Sequence, residues 1–138
     1  MADIAKLTTR SINPVFAETA EIRDFREAET LAVGDVVYVT SAGRVAKADA
    51  NAAGKQQARG IVVSKIGTTV SVMKKGYLGG FDLSGLAYDA QVFLSDTAGS
   101  LADAAGTLSV PCGRVSCVTN PTLEKILYVD FNWITQFS

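Results

Sequence analysis

The strongest constraint on this chain is an imperfect internal repeat of glycine-punctuated β segments. Residues 31–76 read LAVGDVVYVTSAGRVAKADA, then a polar interval, then ARGIVVSKIGTTVSVMKKG. Residues 86–131 give a degenerate copy: LAYDAQVFLSDTAGSLADAAG, then PCGRVSCV, then a closing ILYVDF. Leu31 aligns with Leu86, Val37 with Val92, Tyr38 with Phe93 and Val39 with Leu94. After one inserted residue at Thr97, Gly43 aligns with Gly99 and Val45 with Leu101. Gly60 then falls opposite Gly113, and Val72 opposite Val129.

Each copy reads as strands joined by tight turns. Asp35 to Val39 is β-branched and aromatic, and Ser41-Ala42-Gly43 turns it into the alternating Arg44–Ala48. Residues 49–58, Ala-rich and polar with Gly54 in the middle, read as a loop or at most one helical turn. Gly60–Ile66 pairs through Gly67-Thr68-Thr69 with Val70–Met73. Glycines at 76, 79, 80 and 85 exclude a helix and predict a glycine-rich connection, in which Tyr77 and Phe81 are the loop aromatics. Ala90–Leu94, Thr107–Val110, Gly113–Thr119 and Ile126–Phe131 are the strands of the second copy, with Asn120-Pro121 turning the chain before the last. No stretch has a 3.6-residue period, so the expected class is all-β, a small sandwich or barrel.

The first 17 residues have no periodic segment and are broken at Asn13-Pro14, which predicts an extended N-terminal arm (1–17) ahead of a single β domain (18–138). Residues 18–30 fit either a short charged helix or a strand, with the balance toward an extended segment. The length of 138 residues matches one domain. No apolar run is long enough for a membrane-spanning helix, and the N-terminus lacks the apolar core of a secretory signal.

The chemistry this sequence lacks narrows its function. It has no histidine, so neither the commonest acid/base nor an imidazole partner for a cysteine nucleophile is present. Cys112 and Cys117 are five apart on a strand, hence on opposite faces and unable to pair with each other. Asp82, Asp89, Asp96 and Asp103 recur every seven residues, but Gly85 and Gly99 rule out a helix that would align them. They read as turn acids, with weak Ca²⁺ binding by an approaching pair as the lesser reading. The chain is therefore expected to be no enzyme and to carry no cofactor and no metal.

Charge is segregated although the net formal charge is only −1. Residues 18–29 hold five acids and two bases, residues 44–75 seven bases and one acid, and residues 82–103 four acids and no base. Either these are solvated stretches, or one basic and one acidic face meet other copies or a partner. The basic interval contains no aromatic residue and no helix, which argues against nucleic acid.

The run VYVTSAGRVAKADANAAGKQQARGIVVSKIGTTVSVMKKGYLGGFDLS resembles the head-decoration (cement) proteins of tailed bacteriophages, including that of phage lambda. The likeness lies in a hydrophobic strand, a small-residue turn and a basic-apolar alternation, then Gly-Ile-Val-Val hairpinned to Thr-Thr-Val-Ser-Val, then Lys-Lys-Gly with an aromatic and Asp82-Leu83. It covers about the middle third of the chain; the second half is closer to other virion β proteins, including head fibres and tail-associated modules. The resemblance implies a β-tulip-like homotrimer on the capsid surface, present in host cytoplasm before assembly, that clamps neighbouring major-capsid subunits. It also implies a strand-adding N-terminal arm, for which Ile4, Leu7, Ile12, Val15 and Phe16 are the apolar anchors. Phe131, Trp133, Ile134 and Phe137 are expected either to meet the trimer or capsid partner or to close the core. Partners are then the major capsid protein and self, with no nucleic acid, membrane or small-molecule substrate. The alternative is a receptor- or glycan-binding module of a head or tail fibre.

Overall fold

A computed structural model describes residues 2–8, 11–51, 53–118, 124–134 and 136–137. The protein is all-β, of small barrel or sandwich type, built on a curled antiparallel sheet. Its strands are β1 (Asn13–Val15), β2 (Glu21–Arg26), β3 (Val36–Val39), β4 (Val45–Lys47) and β5 (Gly60–Ile66), followed by β6 (Thr69–Gly79), β7 (Gln91–Leu94), β8 (Leu101–Ala102), β9 (Pro111–Cys117) and β10 (Lys125–Asp130). A 3-10 turn at Ala17–Thr19 separates β1 from β2, so residues 18–30 are mainly extended.

Strand order along the sheet is β4-β3-β5-β6-β10-β9-β7-β8, which reads the same way from either end once the copies are matched. Register follows the sequence repeat. Val37 lies opposite Gly60 as Val92 lies opposite Gly113, and Tyr38 opposite Ala46 as Phe93 opposite Ala102. Val39 faces Val45 as Leu94 faces Leu101. Only the last strand departs. Val62 pairs with Val72 and Val115 with Leu127, so Val72 corresponds to Leu127 rather than Val129. A slip of two residues leaves the facing of every side chain unchanged.

Strict alternation explains why the first copy is buried on both faces. Val36, Ile61 and Met73 join the main core with Leu78, Val92, Leu94, Leu127 and Val129, whereas Val37, Val62, Val70 and Val72 enclose a second cluster with Leu31 and Val45. The same alternation places Val63 with Ile61 in the main core, and the register to β6 shifts by a bulge between Val62 and Ser64.

Three expectations are corrected. Gly76 to Gly79 form no connection: β6 continues through them, because its second half is paired on both edges, to β10 and to β1. Gly76 sits at φ 151°, where a Cβ would crowd the Met73 sulfur at 3.0 Å and Ala20 at 3.1 Å. Thr107–Val110 is not a strand, since its backbone bonds go to three places: Thr107 N–H to Asp96, Leu108 N–H to the Ala50 carbonyl and the Val110 carbonyl to Leu94 N–H. Finally, the N-terminal segment packs its own core. Ile4 N–H bonds to the Leu101 carbonyl, Leu7 N–H to the Gly80 carbonyl and Asp82 N–H to the Ala5 carbonyl, while β1 pairs with β6. The turn expected at Asn120-Pro121 lies outside the described residues.

These N-terminal contacts tie both ends of the curled sheet back toward β6. At the β8 end the tie is made by residues 2–7, bridging Ala102 to Phe81. At the β4 end it is made by the continuation of β2, where Glu27 bridges Val45 and Ala28 N–H bonds to the Val45 carbonyl.

Candidate interaction surface

The expected anchor residues divide into buried and exposed sets. Ile4 and Ile12 are buried in the main core, Leu7 and Val15 are half-buried, and Phe16 is exposed. In the tail, Phe131 is fully buried and Phe137 packs against the core, so for these two the core-closure alternative holds. Phe137 is held by its backbone: its N–H donates to Gln57 Oε1, and its carbonyl accepts from the side-chain amides of Gln56 and Gln57. Trp133 and Ile134 remain accessible, at 39% and 94%.

Trp133 is positioned from two sides. Its indole N–H donates to the Arg59 carbonyl at 2.7 Å, and its ring stacks on Phe25 of β2 with centroids 6.0 Å apart. Together with Ile22, Arg23, Val72 and Lys74 it lines a groove of about 700 Å³ beside β2. Burial of the Arg59 guanidinium moves its pKa downward.

β2 itself is the most exposed strand of the sheet, and only Phe25 is half-buried. Its sequence, Glu-Ile-Arg-Asp-Phe-Arg, alternates charge along one edge. That alternation was the available sequence signal for an edge strand, but the helix alternative for residues 18–30 obscured it. Glu27 N–H bonds inward to Thr68 and Ala28 N–H outward to Val45. By the alternation of strand backbone groups, Ile22, Asp24 and Arg26 point their N–H and C=O away from β6. Ile22, Asp24 and the Arg26 N–H have no backbone partner among the described residues, whereas the Arg26 carbonyl faces the Val45 N–H in the parallel bridge of Glu27 with Val45.

Part of the charge segregation is resolved inside the chain. The acidic stretch before residue 30 lies against the basic interval: Glu21 approaches Lys74 at 3.5 Å and Glu27 pairs with Lys65 at 3.1 Å. Glu27 also accepts the Leu31 N–H, and that bond, more than the Lys65 charge, lowers its carboxyl pKa. Lys6 of the N-terminal segment reaches the buried Asp35 at 3.6 Å. The four acids spaced by seven sit on separate turns, with Ser84, Arg114, Thr107 and Ala2 as their respective partners. Both cysteines are free; Cys112 is enclosed and its thiol pKa is pushed up by burial.

A second surface is aromatic. Phe16, at φ 57°, meets Tyr77 edge-on at 5.5 Å, and Tyr77 meets Tyr128 at 5.0 Å. Tyr77 is therefore a strand residue in a cross-strand row, and Phe81, expected on a loop surface, is buried. Burial, followed by the charge of Asp130, raises the Tyr128 pKa. No family model, curated protein or solved structure matches this chain.

Proposed function

We propose that this chain is a structural virion protein of a tailed phage, binding the outside of the mature capsid as a homotrimer and clamping neighbouring major-capsid subunits. The observation that carries the reading is the exposed Trp133, stacked on Phe25 and followed by the exposed Ile134, beside an edge strand with open backbone groups. Such patches mark interaction sites, and burying them contributes about 25 cal/mol per Å². The resemblance of residues 37–84 to head-decoration proteins supplies the partner. Because Ile4 and Ile12 are committed to the chain's own core, the grip in this reading falls on Trp133, Ile134 and β2 rather than on a free arm.

A clamp of this kind acts by mass action, since it binds the assembled lattice and not free subunits. Three such surfaces per trimer raise effective concentration, so modest single contacts sum to tight attachment. The reading involves no catalysis, cofactor, nucleic acid or membrane, and locates the protein on the capsid surface after assembly in host cytoplasm. A second reading, a glycan- or receptor-binding fibre module, is favoured by the Phe16–Tyr77–Tyr128 row. Co-sedimentation with mature, undecorated capsids separates the two. Saturable binding that is lost in Trp133→Ala/Ile134→Asp supports the clamp. Absence of binding by the intact chain sinks it and moves the fibre module to first place.

A further inference from the structure

We infer that the outer edge of β2 accepts an extended segment of a different protein, and that the charge pattern of β2 excludes a second copy of this chain from that edge. The inference does not rest on capsid attachment.

The open outward groups are those of Ile22 and Asp24 and the N–H of Arg26; β4 takes the edge from the Arg26 carbonyl onward, through the bridge of Glu27 with Val45 and the Ala28 N–H. Two copies joined edge to edge across a two-fold axis must pair outward residues with outward residues. The register that overlaps the whole open edge then sets Asp24 directly against its own copy. One step toward the N-terminus sets Arg23 against Arg23, and one step the other way drives the partner into β4 at Ala28. Like charges directly opposite are destabilising, so the two open registers are disfavoured and the third is blocked.

A segment from another protein is free of that constraint, because it can present either of its edges. It can set an acid opposite Arg23 and Arg26, a base opposite Glu21 and Asp24, and apolar side chains opposite Ile22 and Phe25. Its outward main chain completes the ladder, and an apolar side chain enters the adjoining groove lined by Phe25, Trp133 and Val72. The β2 sequence itself, read antiparallel, has this pattern: Arg26 falls opposite Glu21, Phe25 opposite Ile22 and Asp24 opposite Arg23. A free peptide of that sequence can therefore do what a folded second copy cannot.

The test is fluorescence anisotropy of a labelled peptide of residues 20–27, titrated with the intact protein. Saturable binding is expected. It should weaken by about tenfold or more when the peptide is N-methylated at its Arg23 and Phe25 nitrogens, which removes the ladder donors without altering the protein. Asp24→Pro in the protein should weaken it similarly, because that N–H points away from β6 and proline is tolerated at an open strand edge. Three results would overturn the inference: no saturation at about 1 mM protein, equal binding of the methylated peptide, or a protein dimer in sedimentation that Asp24→Pro dissolves.

Discussion

Gly60 and Gly113 hold the same place in the two copies, and the structure predicts that replacing them will have unequal effects. At Gly113 an added Cβ would overlap the Tyr128 carbonyl oxygen and stand 3.0 Å from the Tyr128 carbonyl carbon and 3.1 Å from Val129 Cα. All three are backbone atoms of β10, so no side chain can yield and the strand itself must shift. A shift large enough to clear the oxygen breaks the pairings of Gly113 with Val129 and Arg114 with Tyr128. Two lost ladder bonds at about 1 kcal/mol each, with overpacking of about 1–3 kcal/mol, place Gly113→Ala at roughly 3–5 kcal/mol. At Gly60 the first obstacle is Val72 Cγ1, a side-chain atom, and the nearest backbone atom is the Met73 carbonyl oxygen at 2.9 Å. A strained or rotated valine costs about 0.5–1.5 kcal/mol, so Gly60→Ala should cost about 1–2 kcal/mol once a small backbone adjustment is included. Urea denaturation of the two variants beside the wild type measures both. The reasoning is refuted if Gly113→Ala lies within about 1 kcal/mol of wild type, or if the order of the two is reversed.

Two further predictions concern the N-terminal half. Ile12→Ala should destabilise the isolated protein by about 2–4 kcal/mol, read as a lowered denaturation midpoint; an unchanged midpoint would return residues 2–16 to the status of a detachable arm. Glu27 carries a lowered carboxyl pKa, mainly through the Leu31 N–H and then Lys65. Its folded value lies below its unfolded one, so its contribution is present above the unfolded value of about 4.3 and is lost as pH falls through the folded value. Stability of Glu27→Gln should therefore fall less steeply on acidification than that of wild type, and parallel acid limbs would contradict the assignment.

The comparison of sequence with structure separates local from non-local information. The hairpin from Val36 to Lys47 was legible because alternation and small-residue turns act within a few residues; the return strand of the hairpin from Gln91 to Ala102 was visible only through the alignment of Leu101 with Val45. The correspondence of Val37/Gly60 with Val92/Gly113 was legible for the same reason, repeated twice. The course of β6 was not. Glycine costs a strand about 0.5–1 kcal/mol by propensity, but a segment paired on both edges gains more than that, and no local pattern reveals the second edge. Thr107–Val110 failed in reverse: its β-prone residues bond singly to three separate neighbours.

The candidate surface shows the same division. That Trp133 and Ile134 are contact candidates while Phe131 and Phe137 are core residues depended on where the tail lands, against Arg59, Gln56 and Gln57. The open edge of β2 depended on β6 and β4 taking its other groups. The amino-acid sequence by itself determined an all-β chain, its internal repeat and the absence of histidine, because these are properties of composition and short-range alternation. Tertiary structure alone decided that the first residues tie the ends of the sheet back to β6 and that Glu21 and Glu27 of the acidic stretch meet Lys74 and Lys65 of the basic one. Both depend on contacts such as Ile4 with Leu101 and Glu21 with Lys74, whose partners lie far apart along the chain and are selected only when the whole sheet curls.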